Sequence, residues 1–275
     1  MAWVAGVLAG VSVVVVVTVA PEGLRASSDP GAPTIAYWSY LLPVAVGVVL
    51  TRLLPPRGPV LQPRVIRRSG VLGGLLVMVA CAAAFPVLVG ALAIVASPIY
   101  HIVKVSILIA VPGITVWWTR RSLGTPTPSG LWRWWAPALV VTVWALLAVV
   151  APWNEVPDYS GIPVEFVIGG AVLTALTAGV GEEVFYRYWL QTRAEALLGR
   201  WGGIALATLL FALMHVGSRQ NLGLGVEVAA AIVVQGSFGL FLAYLWARYR
   251  NIWLAIVAHV LTNGYGVIRV LITTG

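Results

Sequence analysis

The chain has 275 residues, of which 60% are apolar and 9% charged, with a mean hydropathy of +0.95. Soluble domains carry about a quarter charged residues, so this composition excludes one and indicates a polytopic membrane protein. The net charge of +8 comes almost wholly from arginine, with Lys104 the only lysine, and the arginines gather between apolar runs. That pattern is cytoplasmic anchoring, not a nucleic-acid module, and no nucleic-acid partner is expected.

In chain order, Ala2 to Ala20 is about long enough to span. It lacks a basic leader, and Pro21-Glu22 makes a poor cleavage site, so it is read as a retained first helix. Ile35 to Leu54 is the second run and leads into Arg52, Arg57, Arg64, Arg67 and Arg68, broken by prolines. Val71 to Ala96 and Ile99 to Trp118 follow, joined by an outer turn at Ser97-Pro98, and Arg120, Arg121 and Arg133 mark a second inner loop. His101 and Lys104, near the start of helix four, are expected to face headgroups. Trp134 to Trp153 is the fifth run and ends at Glu155 and Asp158, whose acidity suits the outside. Tryptophans near these helix ends fit an interfacial belt. The lone Cys81 lies within an apolar run, which leaves no disulfide framework and no thiolate site.

From Ile162 an apolar run reaches Val180 and continues as a charged helical stretch, Glu182 to Leu198. Gly199 to Gly203 then stops it, and Ile204 to His215 returns as a hairpin. Glu182 lies 17 residues before Gly199 and His215 lies 12 after Gly203, about 25 and 18 Å from the turn at 1.5 Å per residue, so the two stand roughly level. Val216 to Leu224 is a polar break, Val226 to Tyr249 the next helix, Arg248 and Arg250 an inner anchor, and Ile252 to Ile272 the last helix. The expected fold is an all-α, polytopic transmembrane bundle of eight or nine helices. Residues 1–160 form a variable N-terminal extension and residues 161–275 a catalytic core.

Glu182, Glu183 and Arg187 are the wrong residues for hydrocarbon. Each charged side chain near a bilayer centre costs roughly 2.5 to 3.5 kcal/mol unless it is paired or wet, so a stretch carrying three has a function or a partner. Glu183 and Arg187 are four apart and can pair on one helical face, which leaves Glu182 free to point elsewhere. Two more pairs at helical spacing follow, Phe211 with His215 and His259 with Asn263. A buried histidine requires a partner. Two of them beside two glutamates and an asparagine form a constellation and not a set of satisfied core residues.

The three patterns, EExxxR, FxxxH and HxxxN, resemble the signature of the CPBP membrane proteins, the CAAX proteases and bacteriocin-processing enzymes that include type II CAAX prenyl endopeptidases. The resemblance covers about residues 163 to 270. It implies that Glu182 and His215 activate a water, that His259 and Asn263 line an oxyanion site, and that Glu183, Arg187 and Phe211 support the site.

Peptide hydrolysis needs a base for water, donors for the tetrahedral oxyanion and a proton for the leaving amine. These residues offer a carboxylate, imidazoles and an amide, and no embedded serine. HExxH is absent, which excludes the familiar zincin site, although Glu182, His215 and His259 can serve as zinc ligands in principle. Glutamate-dependent hydrolysis without a metal cofactor is preferred, with zinc as the alternative. The expected partners are membrane lipid and a hydrophobic peptide or membrane-protein substrate. Heavy use of Ala, Val, Gly, Arg and Trp points to a bacterial plasma membrane, where a peptide precursor fits better than a prenylated substrate. Two further readings stay open: a non-catalytic immunity or scaffold protein, and a proton-coupled transporter with Glu182, His215 and His259 as a relay.

Overall fold

The computed structural model describes residues 2–25, 34–58, 60–95, 97–124, 134–154, 159, 161–216 and 223–274. The protein is mostly helical. In chain order the helices are α1 (Ala2–Val19), α2 (Tyr37–Leu53), α3 (Arg68–Leu92), α4 (Ile99–Ser122), α5 (Trp135–Val150), α6 (Val164–Leu213), α7 (Leu224–Tyr249) and α8 (Ile252–Thr274). Five of these, α3, α4, α6, α7 and α8, are long and apolar enough to cross a membrane, and α1, α2 and α5 are apolar but shorter. Their exposed faces carry Leu, Val, Ile and Trp, as a lipid-facing surface does. The protein is a multi-pass membrane protein.

Two short antiparallel clasps bind loops together. β1 (Leu24–Arg25) pairs with β2 (Thr34–Ile35), Leu24 opposite Ile35. β3 (Arg64–Val65) pairs with β4 (Leu123–Gly124), Arg64 opposite Gly124, and Ser122 O accepts from the Ile66 and Arg67 amides at 2.9 and 3.0 Å. The second clasp brings the loop after α2 and the end of α4 to one end of the bundle. The Tyr249 hydroxyl donates to Leu54 O at 2.7 Å and Arg200 Nη2 to Val60 O at 3.3 Å, so the end of α7 and the bend of α6 share that end. The arginine clusters at 52–68, 120–121 and 248–250 therefore stand together. Arg133, Glu155, Asp158 and most of the polar break after Val216 lie outside the described residues.

The core is organised around α7, which is buried along most of its length between α1, α2 and α6. One apolar cluster joins α3, α4 and α6 through Met78, Phe85, Leu108, Phe185, Tyr186 and Phe211. A second joins α2, α5, α7 and α8 through Val44, Trp144, Phe241, Leu245 and Ala255. Polar ties cross the seam between α6 and α7. Gln191 Nε2 donates to Ala243 O at 2.8 Å, and Trp246 Nε1 donates to Thr192 Oγ1 at 3.2 Å. In a low-dielectric interior such satisfied groups fix register where apolar contact alone would let helices slide.

The expected hairpin is present but turns more tightly than its glycines and Trp201 suggest. α6 bends at one residue, Gly199, with φ 75° and ψ 169°, and remains helical on both sides. That backbone region is open essentially to glycine alone. The first limb, residues 164–198, is continuous and contains wide π-helical turns over Ala175–Glu182 and Val184–Gln191. Such turns recur at functional sites, because the extra residue per turn re-aims side chains that α-helical spacing would stack.

Candidate active site

Glu182, Glu183 and Arg187 leave the π-helical part of α6 and are all buried, at 2%, 0% and 0% exposure. The two neighbouring carboxylates diverge, one toward α4 and one toward α8. Glu183 Oε2 lies 3.2 Å from Arg187 Nε, the pairing expected from their spacing. Its Oε1 lies 2.7 Å from His259 Nδ1, so this one carboxylate holds both a cation of its own helix and the histidine of the last. The Arg187 guanidinium sits over the Phe211 ring, 4.5 Å from its centroid, in a cation–π contact.

His259 reaches Glu183 because α8 comes unusually close to α6. A Cβ on Gly179 would stand 2.5 Å from Val260 Cγ2, so any larger residue there would push away the turn that carries His259. The ring of His259 is also walled edge-on by Phe238, with centroids 5.3 Å apart.

His215 lies just past the end of α6, partly buried. Its Nδ1 is 2.8 Å from Phe211 O. A carbonyl only accepts, so Nδ1 carries the proton and Nε2 of the neutral ring presents a lone pair. His259 Nδ1 likewise donates to a Glu183 oxygen. Phe211 stands between the two imidazoles, with centroids 5.0 Å from His215 and 5.9 Å from His259. Glu182 is within electrostatic reach of both. Counting along the limbs, Glu182 and His215 are 17 and 16 residues from Gly199 (199 − 182 and 215 − 199), so the cluster stands well away from the arginine-rich end.

Asn263 is placed differently. It stands one turn beyond His259 on α8, about 6 Å along the axis, and its side chain is exposed. Among the described residues no hydrogen bond ties it to Glu182, His215 or His259.

The expectation that Lys104 faces headgroups is corrected. Lys104 is buried and its ammonium forms an ion pair with Glu182 Oε1. The reason is mutual. The start of α4 packs against the π-helical part of α6, and a lysine and a glutamate that meet in a dry interior each remove the other's unpaired charge. His101, one turn earlier, also turns inward, with Nδ1 3.0 Å from Thr177 Oγ1. Sequence reasoning passed over a usable signal here, the single lysine of a chain whose other cations are all arginine.

As for metal, Glu182 Oε1 is committed to Lys104. Among the described residues no three His, Cys, Asp or Glu side chains stand close enough to hold an ion.

This arrangement offers a buried carboxylate and two imidazoles that flank one aromatic ring, groups that hydrolysis of an amide can use. Compared with known proteins, residues 163–265 match the family described as type II CAAX prenyl endopeptidase Rce1-like. No curated protein and no solved structure matches the chain. The matched stretch contains all three motifs and every group of the cluster except Lys104, and this similarity supports a CPBP family intramembrane protease.

Proposed function

We propose that the protein hydrolyses a peptide bond in a hydrophobic or membrane-associated peptide or protein, with a water activated by Glu182 and His215 and an oxyanion held by His259 and Asn263. The observation that carries this reading is that His215 at the end of α6 and His259 of α8 flank the Phe211 ring, with His259 held by Glu183, the neighbour of the buried Glu182. In the proposed reaction Glu182 takes a proton from water while the oxygen adds to the carbonyl carbon, and the same proton passes to the leaving amine as the C–N bond breaks. His215, with Nδ1 already bound to Phe211 O, has its Nε2 lone pair available to orient that water. His259 can give an N–H to the oxyanion only with both nitrogens protonated, and Glu183 is then its counter-ion. Asn263 would supply a second donor from the neighbouring turn.

One observation favours a zinc-dependent variant. Both histidines donate Nδ1 to an oxygen acceptor, the outer-shell arrangement common to metal-ligating histidines. The missing third donor weighs against it, and the metal-free reaction is the one proposed.

The finer architecture belongs to the same proposal. It comprises eight or nine crossings, a variable extension over residues 1–160, a catalytic core over residues 161–275, and a bacterial plasma membrane with the arginine clusters on the cytoplasmic side.

The test is cleavage of a quenched hydrophobic peptide library by purified protein in nanodiscs. Glu182→Gln keeps shape but removes the base, and the rate is expected to fall by about 10²- to 10⁴-fold. A strong chelator is expected to leave wild-type activity unchanged, and loss that zinc restores would make His215, His259 and Glu182 ligands instead. An inert wild type whose biological effect survives Glu182→Gln would support an immunity or scaffold role. Proton-coupled uptake abolished by the same substitution would support a transporter.

A further inference from the structure

One ion pair joins the part of the chain before the matched family domain to the centre of the cluster. Lys104 and Glu182 have side chains only 6% and 3% exposed. The pair makes the two carboxylate oxygens inequivalent. Oε1 is occupied by the ammonium, while Oε2 is buried without a hydrogen-bond partner among the described residues. An acceptor left without a partner is costly to bury, and Oε2 is the oxygen that can still accept from a water. Lys104 is itself held. Its Nζ lies 5.3 Å from the centroid of the Tyr100 ring, and Tyr100 packs edge-on against the fully buried Phe85 at 5.6 Å. The lysine is thus braced by α3 and α4 against a carboxylate of α6.

We propose that Lys104 is a positioning residue for the reaction. Its ammonium clamps Oε1 of Glu182 so that Oε2 is the oxygen presented to the attacking water, and the working site extends beyond residues 163–265 into α4. The inference rests on Glu182 being the base. Misplacing a reacting group by an ångström costs on the order of 10²-fold in rate, and that is the loss expected in kcat for Lys104→Met, with KM little changed because Lys104 need not touch the substrate. Lys104→Arg, which keeps the charge with a different reach, is expected to recover part of it. In a Glu182→Gln background, Lys104→Met is expected to cost nothing further, since the group through which it acts is gone.

Unfolding temperatures of the wild type, Lys104→Met, Glu182→Gln and the double variant report the pair without reference to activity. Lys104→Met alone strands a buried carboxylate and lowers the temperature, whereas the double variant replaces a buried charge pair by a neutral one and recovers it. The double variant also supplies a folded protein if the single one fails to fold, and Lys104→Arg then carries the kinetic comparison. Full kcat per folded molecule in Lys104→Met, an equal further loss in the Glu182→Gln background, or additive unfolding temperatures would each overturn the positioning role. An active wild type with inactive Glu182→Gln and fully active Lys104→Met sinks this inference alone. A wild type that cleaves nothing sinks the reading of Glu182 as base, and the unfolding temperatures then still decide whether the pair exists.

Discussion

Glu183 has the most demanding position of any single residue, because it serves two partners at once. Arg187 is fully buried and its charge is met by this carboxylate, and His259 is oriented by it. Removing one partner of a buried pair typically costs about 3 to 5 kcal/mol, through the charge left behind. Glu183→Gln is therefore expected to lower yield and to cost stability by that amount, whereas Glu182→Gln strands the Lys104 ammonium and in addition removes the base, so its rate per folded molecule falls as well. Wild-type unfolding in Glu183→Gln would contradict its supporting role. For Asn263, loss of one oxyanion donor is expected to lower kcat about 10²- to 10³-fold in Asn263→Ala with the fold intact. The exposure of its side chain makes this the sharpest test of the oxyanion assignment, and an unchanged kcat would leave His259 as the only side-chain donor.

Among the elements, the contact between α6 and α8 sets the geometry. Gly179 allows Val260 to approach so closely that a single methyl group meets Cγ2 at 2.5 Å. Valine is stiff at χ1 and cannot swing away freely. Gly179→Ala is expected to destabilise by about 1 to 3 kcal/mol, as overpacking does, and to lower activity by shifting His259 from Glu183. Adding Val260→Ala removes the methyl in the way and is expected to restore both. Recovery of stability without activity would mean that the approach of the helices serves packing alone. The π-helical turns belong to the same scale. They let Glu182 and Glu183, neighbours in sequence, reach α4 and α8 respectively.

At the scale of the molecule, charge and loop pairing determine how the bundle stands in the membrane. The β3–β4 clasp, the Tyr249 to Leu54 bond and the Arg200 to Val60 bond gather the arginine clusters at one end. Basic loops are retained on the cytoplasmic side, so a cysteine introduced at Arg57 is expected to resist an impermeant thiol reagent in intact cells and to react once the cells are opened. Labelling in intact cells would invert the topology.

The sequence by itself determined the class of the protein and the identity of its charged centre. Sixty per cent apolar residues leave only a membrane bundle, and charges set in hydrocarbon are so costly that Glu182, Glu183, Arg187, His215 and His259 stand out without any coordinates. Helical spacing was enough to pair Glu183 with Arg187, because residues four apart are neighbours on any helix. The partners that lie far apart in sequence were decided only by tertiary structure. No local pattern relates Lys104 to Glu182 or Glu183 to His259, each pair separated by more than seventy residues. These contacts follow from which helix packs against which, and from a glycine at the crossing. The exposure of Asn263 was likewise invisible, since hydropathy reports how apolar a stretch is and not which of its faces meets a neighbouring helix.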